Sequence, residues 1–114
     1  MDNCIFCKII NGEIPSQKVY EDEKVLVFKD IKPEAPVHIL VVPKEHIESA
    51  NDINEENSSI IGHIFVVIAK VTKDLGIDKN GYRIVNNCGK DGLQTVPHLH
   101  LHVFGGKTFN WPPV

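Results

Sequence analysis

The stretch His98-Leu-His-Leu-His-Val-Phe104 decides how this chain is read. Side chains on a strand alternate between faces. The period of two therefore sets His98, His100 and His102 on one face and Leu99, Leu101 and Val103 on the other. Neighbouring imidazoles on that face start roughly 7 Å apart at the backbone. Three such rings are costly as structure alone. Charged, they repel; neutral and buried, each needs hydrogen-bond partners. Two kinds of chemistry call for them. Alternating histidines can chelate a metal such as zinc. A neutral imidazole can also attack phosphorus or an acyl carbon, and its ordinary pKa of about 6.5 leaves much of it uncharged near neutral pH. One ring nitrogen then attacks, the other donates to an orienting acceptor, and a neighbouring histidine serves the leaving group.

Upstream, Tyr82 to Asn87 is a strand, joined to the histidine strand by the turn-rich segment Asn87-Cys-Gly-Lys-Asp-Gly-Leu-Gln-Thr95. Residues 55–75 carry one long helix, with Asn54 as its N-cap, Glu55 and Glu56 in its first turn and Gly76 at its C-terminal cap. Its apolar residues Ile60, Ile61, Ile64, Phe65, Val67, Ile68, Val71 and Leu75 form a wide stripe, with Val66 outside it. Deep burial or a second apolar partner, such as another subunit, would each account for that width. His63 falls at the polar margin and reads as a surface residue. Val37-His-Ile-Leu-Val-Val42 is a β-branched strand stopped by Pro43, and a proline-bounded loop, 31–36, precedes it. Lys18–Tyr20 and Lys24–Asp30 read as a hairpin whose second strand is apolar on both faces, hence central. Residues 4–11 form a short helix ending at Gly12. The fold class is α+β: five mostly antiparallel strands with one long and one short helix.

The chain has 114 residues, the size of one domain spanning 1–114, and 42 % of them are hydrophobic, which predicts an ordered core. A formal net charge of -3 gives no electrostatic footprint for a nucleic-acid backbone, so no nucleic-acid partner is expected. No apolar run reaches the roughly 20 residues of a membrane span. Met1-Asp2-Asn3-Cys4 does not open a signal peptide, and a cytoplasmic protein is expected. Cys4-x-x-Cys7 reads as a metal or redox pair, or as two reduced thiols packed as small apolar residues; Cys88 stands alone.

The His-x-His-x-His run followed by two apolar residues resembles the signature of the histidine triad (HIT) family, and the chain looks like its Hint branch, the purine nucleoside phosphoramidases. The resemblance extends over Cys4-Ile-Phe-Cys-Lys-Ile-Ile10, Phe28-Lys-Asp-Ile31, Pro36-Val-His-Ile-Leu-Val-Val-Pro-Lys44, Asn87, Gly89, Gln94, Gly105-Gly106 and the terminal Trp111-Pro-Pro113. It implies the following roles. His100 would be the nucleophile and carry a covalent nucleotidyl group. His102 and His38 would contact the phosphate and assist the leaving group. Asp30 would accept ribose hydroxyls, and Phe28 and Ile31 would line the base pocket. Asn87, Thr95 and backbone N–H groups near Val96 would bind the phosphate region. Pro43-Lys44-Glu45-His46 matches a stretch that supplies a zinc ligand in many bacterial HIT proteins. By that resemblance Cys4, Cys7, His46 and His98 would hold a structural zinc. The resemblance also implies a homodimer in which two five-stranded sheets join.

Three positions depart from the branch pattern: Thr95 stands where serine is usual, Leu93 where glycine is usual and Pro97 where an aromatic is common. Leu93 predicts a stiffer loop, and the three together bear on leaving-group preference. Three other functions compete: a nucleotide-binding or interaction protein with incidental turnover, a dinucleoside polyphosphate hydrolase, and a metallohydrolase with all three triad histidines on one catalytic ion.

Overall fold

The computed structural model describes residues 3–114; the reading of Met1 and Asp2 lies outside the described residues. In chain order the elements are α1 (Ile5–Ile10), β1 (Lys18–Glu21), β2 (Val25–Lys29), β3 (Val37–Pro43), a 3₁₀ turn (Ala50–Asp52), α2 (Ser58–Asp74), β4 (Tyr82–Val85) and β5 (Leu101–Gly105). The strands form one sheet in the order β1-β2-β3-β5-β4, with every neighbouring pair antiparallel. The α+β class read from the sequence is the class found. Among the described residues no helix is long and apolar enough to cross a membrane.

The two-sided apolarity of β2 has a direct cause. Val25 and Val27 belong to one core with Ile39, Val41, Leu101, Val103 and the inward face of α2. Leu26 and Phe28 belong to a second core with Leu40, Val42 and the residues Cys4, Phe6 and Ile9 of the α1 region. Helices therefore cover both faces, and each fully buried side chain of this kind stabilises the fold by about 1.5–3 kcal/mol. The second core lies on the same face as the histidines. His38 pairs with Phe104 and Leu40 with His102 across β3 and β5. His38 and His102 are thus diagonal neighbours on one face, close enough for side chains to meet.

α2 begins three residues later than the sequence suggested. The Asn54 side-chain oxygen accepts from the N–H groups of Glu56 and Asn57 at 2.9 and 3.1 Å. That closes a separate turn over 55–57 and delays the helix to Ser58. Its end is as expected: Gly76 takes φ +74°, its N–H reaches the Lys73 carbonyl, and the Ile77 N–H reaches the Thr72 carbonyl, the paired closure that favours glycine. Ile64, Val67, Ile68, Val71 and Thr72 are buried; the Thr72 hydroxyl is satisfied by the Ile68 carbonyl at 2.7 Å. Phe65, part of the wide apolar stripe, is 49 % exposed beside Val66 at 64 %, so the stripe is wider than the face α2 buries.

His63 is not a bystander. Its Nε2 lies 2.6 Å from Asp22 Oδ2. The same carboxylate accepts from the Tyr20 hydroxyl at 2.9 Å and from the N–H groups of Lys24 and Val25 at 2.8 Å. Burial works to raise the Asp22 carboxyl, but these donors, His63 foremost, hold it below the usual carboxylate range. The β1–β2 turn is thereby tied to α2. Replacing His63 with Ala is expected to cost about 1–2 kcal/mol in urea unfolding, at the low end for a charged hydrogen bond because the pair is partly exposed, and to leave turnover unchanged.

The largest departure concerns the histidines themselves. β5 begins at Leu101, so His98 and His100 lie on the segment entering the strand and only His102 is on it. Pro97 has no N–H to give a ladder, and the His98 N–H closes a tight turn onto the Val96 carbonyl at 2.8 Å. β4 likewise ends at Val85, not Asn87.

Candidate active site

His100 is nearly fully buried, and its Nδ1 lies 2.7 Å from the His98 carbonyl oxygen. A carbonyl only accepts, so Nδ1 carries the proton and Nε2 keeps a free lone pair. His102 is set by a longer chain of contacts. The Glu34 backbone N–H donates to His38 Nδ1 at 3.1 Å, which leaves the His38 proton on Nε2. That nitrogen lies 2.9 Å from His102 Nδ1 and 3.4 Å from Asp30 Oδ2. His102 Nδ1 then accepts, and its own proton sits on Nε2. The arrangement combines one imidazole able to attack with another able to donate. Asn86 Nδ2 donates to the His100 carbonyl at 2.9 Å, fixing the backbone that bears the attacking ring.

His98 faces elsewhere. Its Nε2 donates to the Pro43 carbonyl at 2.8 Å, so the lone pair is on Nδ1. That atom lies 3.3 Å from Cys4 Sγ, 3.6 Å from Cys7 Sγ and 3.1 Å from His46 Nδ1; Cys7 Sγ is 3.4 Å from His46 Nδ1. All four ligand atoms lie within 4.8 Å of one another. Two thiols and two imidazoles converging on one point can hold a metal ion. Burial, then the Cys4 thiol, pushes the Cys7 thiol up to about 11, so a cation must displace its proton on binding. The three triad rings do not converge: His98 belongs to this cluster, while His102 belongs with Asp30 and His38.

Asp30, Ile31 and His38 line one cavity of ≈ 660 Å³, with Gln17, Pro33 and Pro36 among the other walls. Ile31 projects at its rim, 93 % exposed. Phe28, expected to line a base pocket, is buried in the α1-side core with its ring 5.7 Å from Phe6; it underlies the site and is not a wall of that cavity. Val96 packs on this same core. Asn87 spends its amide N–H on the Gly92 carbonyl at 2.7 Å, and Thr95 is exposed on the same loop. Gln94 braces the loop: its Oε1 accepts from the Gly89 N–H and its Nε2 donates to the Glu48 and Val96 carbonyls. A side chain at position 92 would collide with the Cys88 carbonyl, so glycine is required there. Leu93 takes φ +59° in the left-handed region, which disfavours a Cβ. Replacing Leu93 with Gly is expected to raise stability by about 0.5–1 kcal/mol, steric relief outweighing lost chain stiffness, read as a higher urea midpoint.

Two contributors were not legible from spacing. Asn86 had only the doubled amide Asn86-Asn87 as a signal. Phe6 stood out only as an aromatic between two cysteines, yet its ring meets His100 edge-on at 5.0 Å.

Burial is the leading cause that lowers His38, His100 and His102, the last to about 4 with the neighbouring His100 and His38 adding to it. These rings stay neutral where a free imidazole takes a proton. An activity that needs neutral His102 and His38 is expected to stay flat from pH 8 through 6.5 and to decline only on further acidification, in a pH–rate profile. Stability follows the same sign. The contribution of a depressed imidazole is complete above about pH 6.5 and is lost as pH falls toward the folded value, because the unfolded chain binds the proton first.

Comparison with known proteins agrees with this geometry. Residues 3–110 match the family described as "Scavenger mRNA decapping enzyme C-term binding". An uncharacterized HIT-like protein of Buchnera aphidicola subsp. Baizongia pistaciae is 51 % identical over 106 residues, 93 % of this chain and 95 % of that one. A histidine triad protein from Clostridium difficile is 57 % identical, with a TM-score of 0.92 over 96 % of this chain and 95 % of its own. A HIT family hydrolase from Clostridium thermocellum superimposes with a TM-score of 0.97 at 49 % identity, covering 100 % of this chain and 99 % of that one. With three histidines in alternation, a five-stranded antiparallel sheet and likeness along nearly its whole length, the chain belongs to the histidine triad family.

Proposed function

We propose that this protein is a nucleotide-binding hydrolase that cleaves purine nucleoside 5′-phosphoramidates, or related nucleotidyl conjugates, through a nucleotide held covalently on His100. The observation that carries the proposal is the 2.7 Å contact from His100 Nδ1 to the His98 carbonyl. It leaves Nε2 unprotonated, and a nucleophile must be unprotonated at the attacking atom.

In the first step the Nε2 lone pair forms a bond to phosphorus and the P–N bond breaks. His102 Nε2–H hydrogen-bonds to the departing nitrogen, which leaves with a proton taken from solvent. As His100 becomes positively charged, its Nδ1–H bond to the His98 carbonyl strengthens. His38 and Asp30 hold His102 in the tautomer that donates from Nε2. In the second step water attacks phosphorus, the bond from phosphorus to His100 Nε2 breaks, the water's proton passes to solvent, and the nucleoside monophosphate leaves with His100 neutral again. Donors arranged around the phosphoryl oxygens favour the charge that builds there. Asp30 and Ile31, on the wall of the ≈ 660 Å³ cavity, are assigned to the ribose and the base, with Phe28 beneath them; Asn87, Thr95 and the Val96 backbone are assigned to the phosphate.

The cation assigned to Cys4, Cys7, His46 and His98 is zinc. Zinc there would need ligand atoms roughly 3.3–3.8 Å apart; the thiol–imidazole contacts of 3.3, 3.4 and 3.6 Å fall in that range, and the two imidazole nitrogens, 3.1 Å apart, would have to separate slightly. Four protein ligands would leave no open position, so an ion held there would brace α1 against the histidine segment and supply no chemistry of its own. A homodimer is part of the same proposal. β4 is an edge strand, and Phe65 and Val66 expose apolar surface on α2, features that pairing with a second copy would cover.

Incubation with adenosine 5′-phosphoramidate tests the activity. Release of the monophosphate and ammonia is expected. Cleavage of a dinucleoside polyphosphate in preference to the phosphoramidate would favour the other hydrolase reading.

A further inference from the structure

α1 has six residues, too few to hold a helix unaided. Its shape depends on what it touches. Cys4 caps it, its sulfur accepting the Cys7 N–H at 3.3 Å. Phe6, between the two thiols in sequence, is buried and meets three other rings at steep angles. It meets His100 at 5.0 Å and 84°, His98 at 5.9 Å and 75°, and Phe28 at 5.7 Å and 70°. His100 thus has two supports: the His98 carbonyl on its Nδ1 and Phe6 against its ring. Both trace back to the Cys/His cluster. His98 contributes its side chain to that cluster and its carbonyl to His100, while Cys4 and Cys7 anchor the helix that carries Phe6.

We propose that Phe6 is a positioning residue for His100, carried into place by the Cys4–Cys7–His46–His98 cluster, so that metal held by the cluster fixes the aim and tautomer of the attacking ring. The proposal deepens the assignment of His100 as nucleophile and, for its effect on turnover, rests on it.

The test compares Phe6→Leu with Ile9→Val, a change on the same helix and in the same core. Two readouts are taken on the metal-loaded proteins: kcat with KM on the phosphoramidate, and ¹⁵N imidazole shifts, which report which nitrogen of His100 carries the proton. Phe6→Leu is expected to lower kcat about tenfold with KM little changed, as for a misaimed reacting group, and to turn a single Nδ1–H tautomer into a mixture. Ile9→Val is expected to do neither. Stripping metal from the unaltered protein with a chelator, while circular dichroism still shows the folded sheet, is expected to give the same mixture. Should leucine unfold α1, Phe6→Met is read the same way. A folded Phe6 variant that keeps one tautomer and an unaltered kcat overturns the proposal, as does metal removal that leaves the His100 shifts in place. If the unaltered protein has no turnover but its tautomer still responds to Phe6→Leu and to chelation, the nucleophile assignment fails and the positioning role stands.

Discussion

Replacing His100 with alanine is expected to abolish turnover by a factor on the order of 10⁴–10⁶ while nucleotide binding survives. The size follows from its role. A covalent route has no substitute for its nucleophile, and losses of this order are typical when one is removed. Retained binding follows from the layout. Asp30, Ile31 and His38 line a cavity whose other walls, Gln17, Pro36 and Leu75 among them, do not include His100. The ring is buried against Phe6, so alanine leaves a hole there and some loss of stability; binding is therefore to be measured at a temperature where circular dichroism shows the variant folded. Calorimetric titration with a nucleoside monophosphate reads binding, and product release reads turnover. An interaction protein with incidental turnover would keep its biological role in this variant; a hydrolase would not.

Removing the metal should have the largest effect on stability. Metal bound to the folded cluster alone stabilises by mass action, about 4 kcal/mol when free metal exceeds its dissociation constant a thousandfold. For a chain of 114 residues that corresponds to roughly 15 °C in Tm. Chelation is expected to lower Tm by about that much, and added zinc to restore it in a concentration-dependent way. Cys4→Ser and His46→Ala are each expected to show the lower Tm and lose the response to chelator. A Tm indifferent to chelator and to zinc would mean that the four side chains pack without an ion.

Much of this was legible in the sequence because it depends on short-range pattern. The alternation in Val25-Leu-Val-Phe28 encodes a strand buried on both sides, and both helices are there. Gly76 after the apolar run encodes the end of α2. Cys4, Cys7, His46 and His98, grouped through the family resemblance, do converge. What escaped is set by partners distant in sequence or by local competition for hydrogen bonds. Asn54 looks like a cap for the long helix but caps a turn before it. His63 looks solvent-facing until the β1–β2 turn delivers Asp22 to it. The histidine alternation is real as spacing, but Pro97 and the His98 turn keep the first two rings off β5, and His98 turns into the thiol cluster. Phe28 lies in the α1-side core beneath the site, a placement that its apolar neighbours on β2 do not reveal by themselves.

The central claim is that His100 Nε2 bonds to phosphorus during the reaction. The most direct measurement is to mix the protein with adenosine 5′-phosphoramidate, quench in alkali to spare the acid-labile bond, digest, and locate any added mass by tandem mass spectrometry. The account predicts an adenylyl group on His100 that appears within the first turnover and is absent from His100→Ala. Product formation with no adduct on any histidine at times shorter than one turnover, or an adduct on His102, would contradict it.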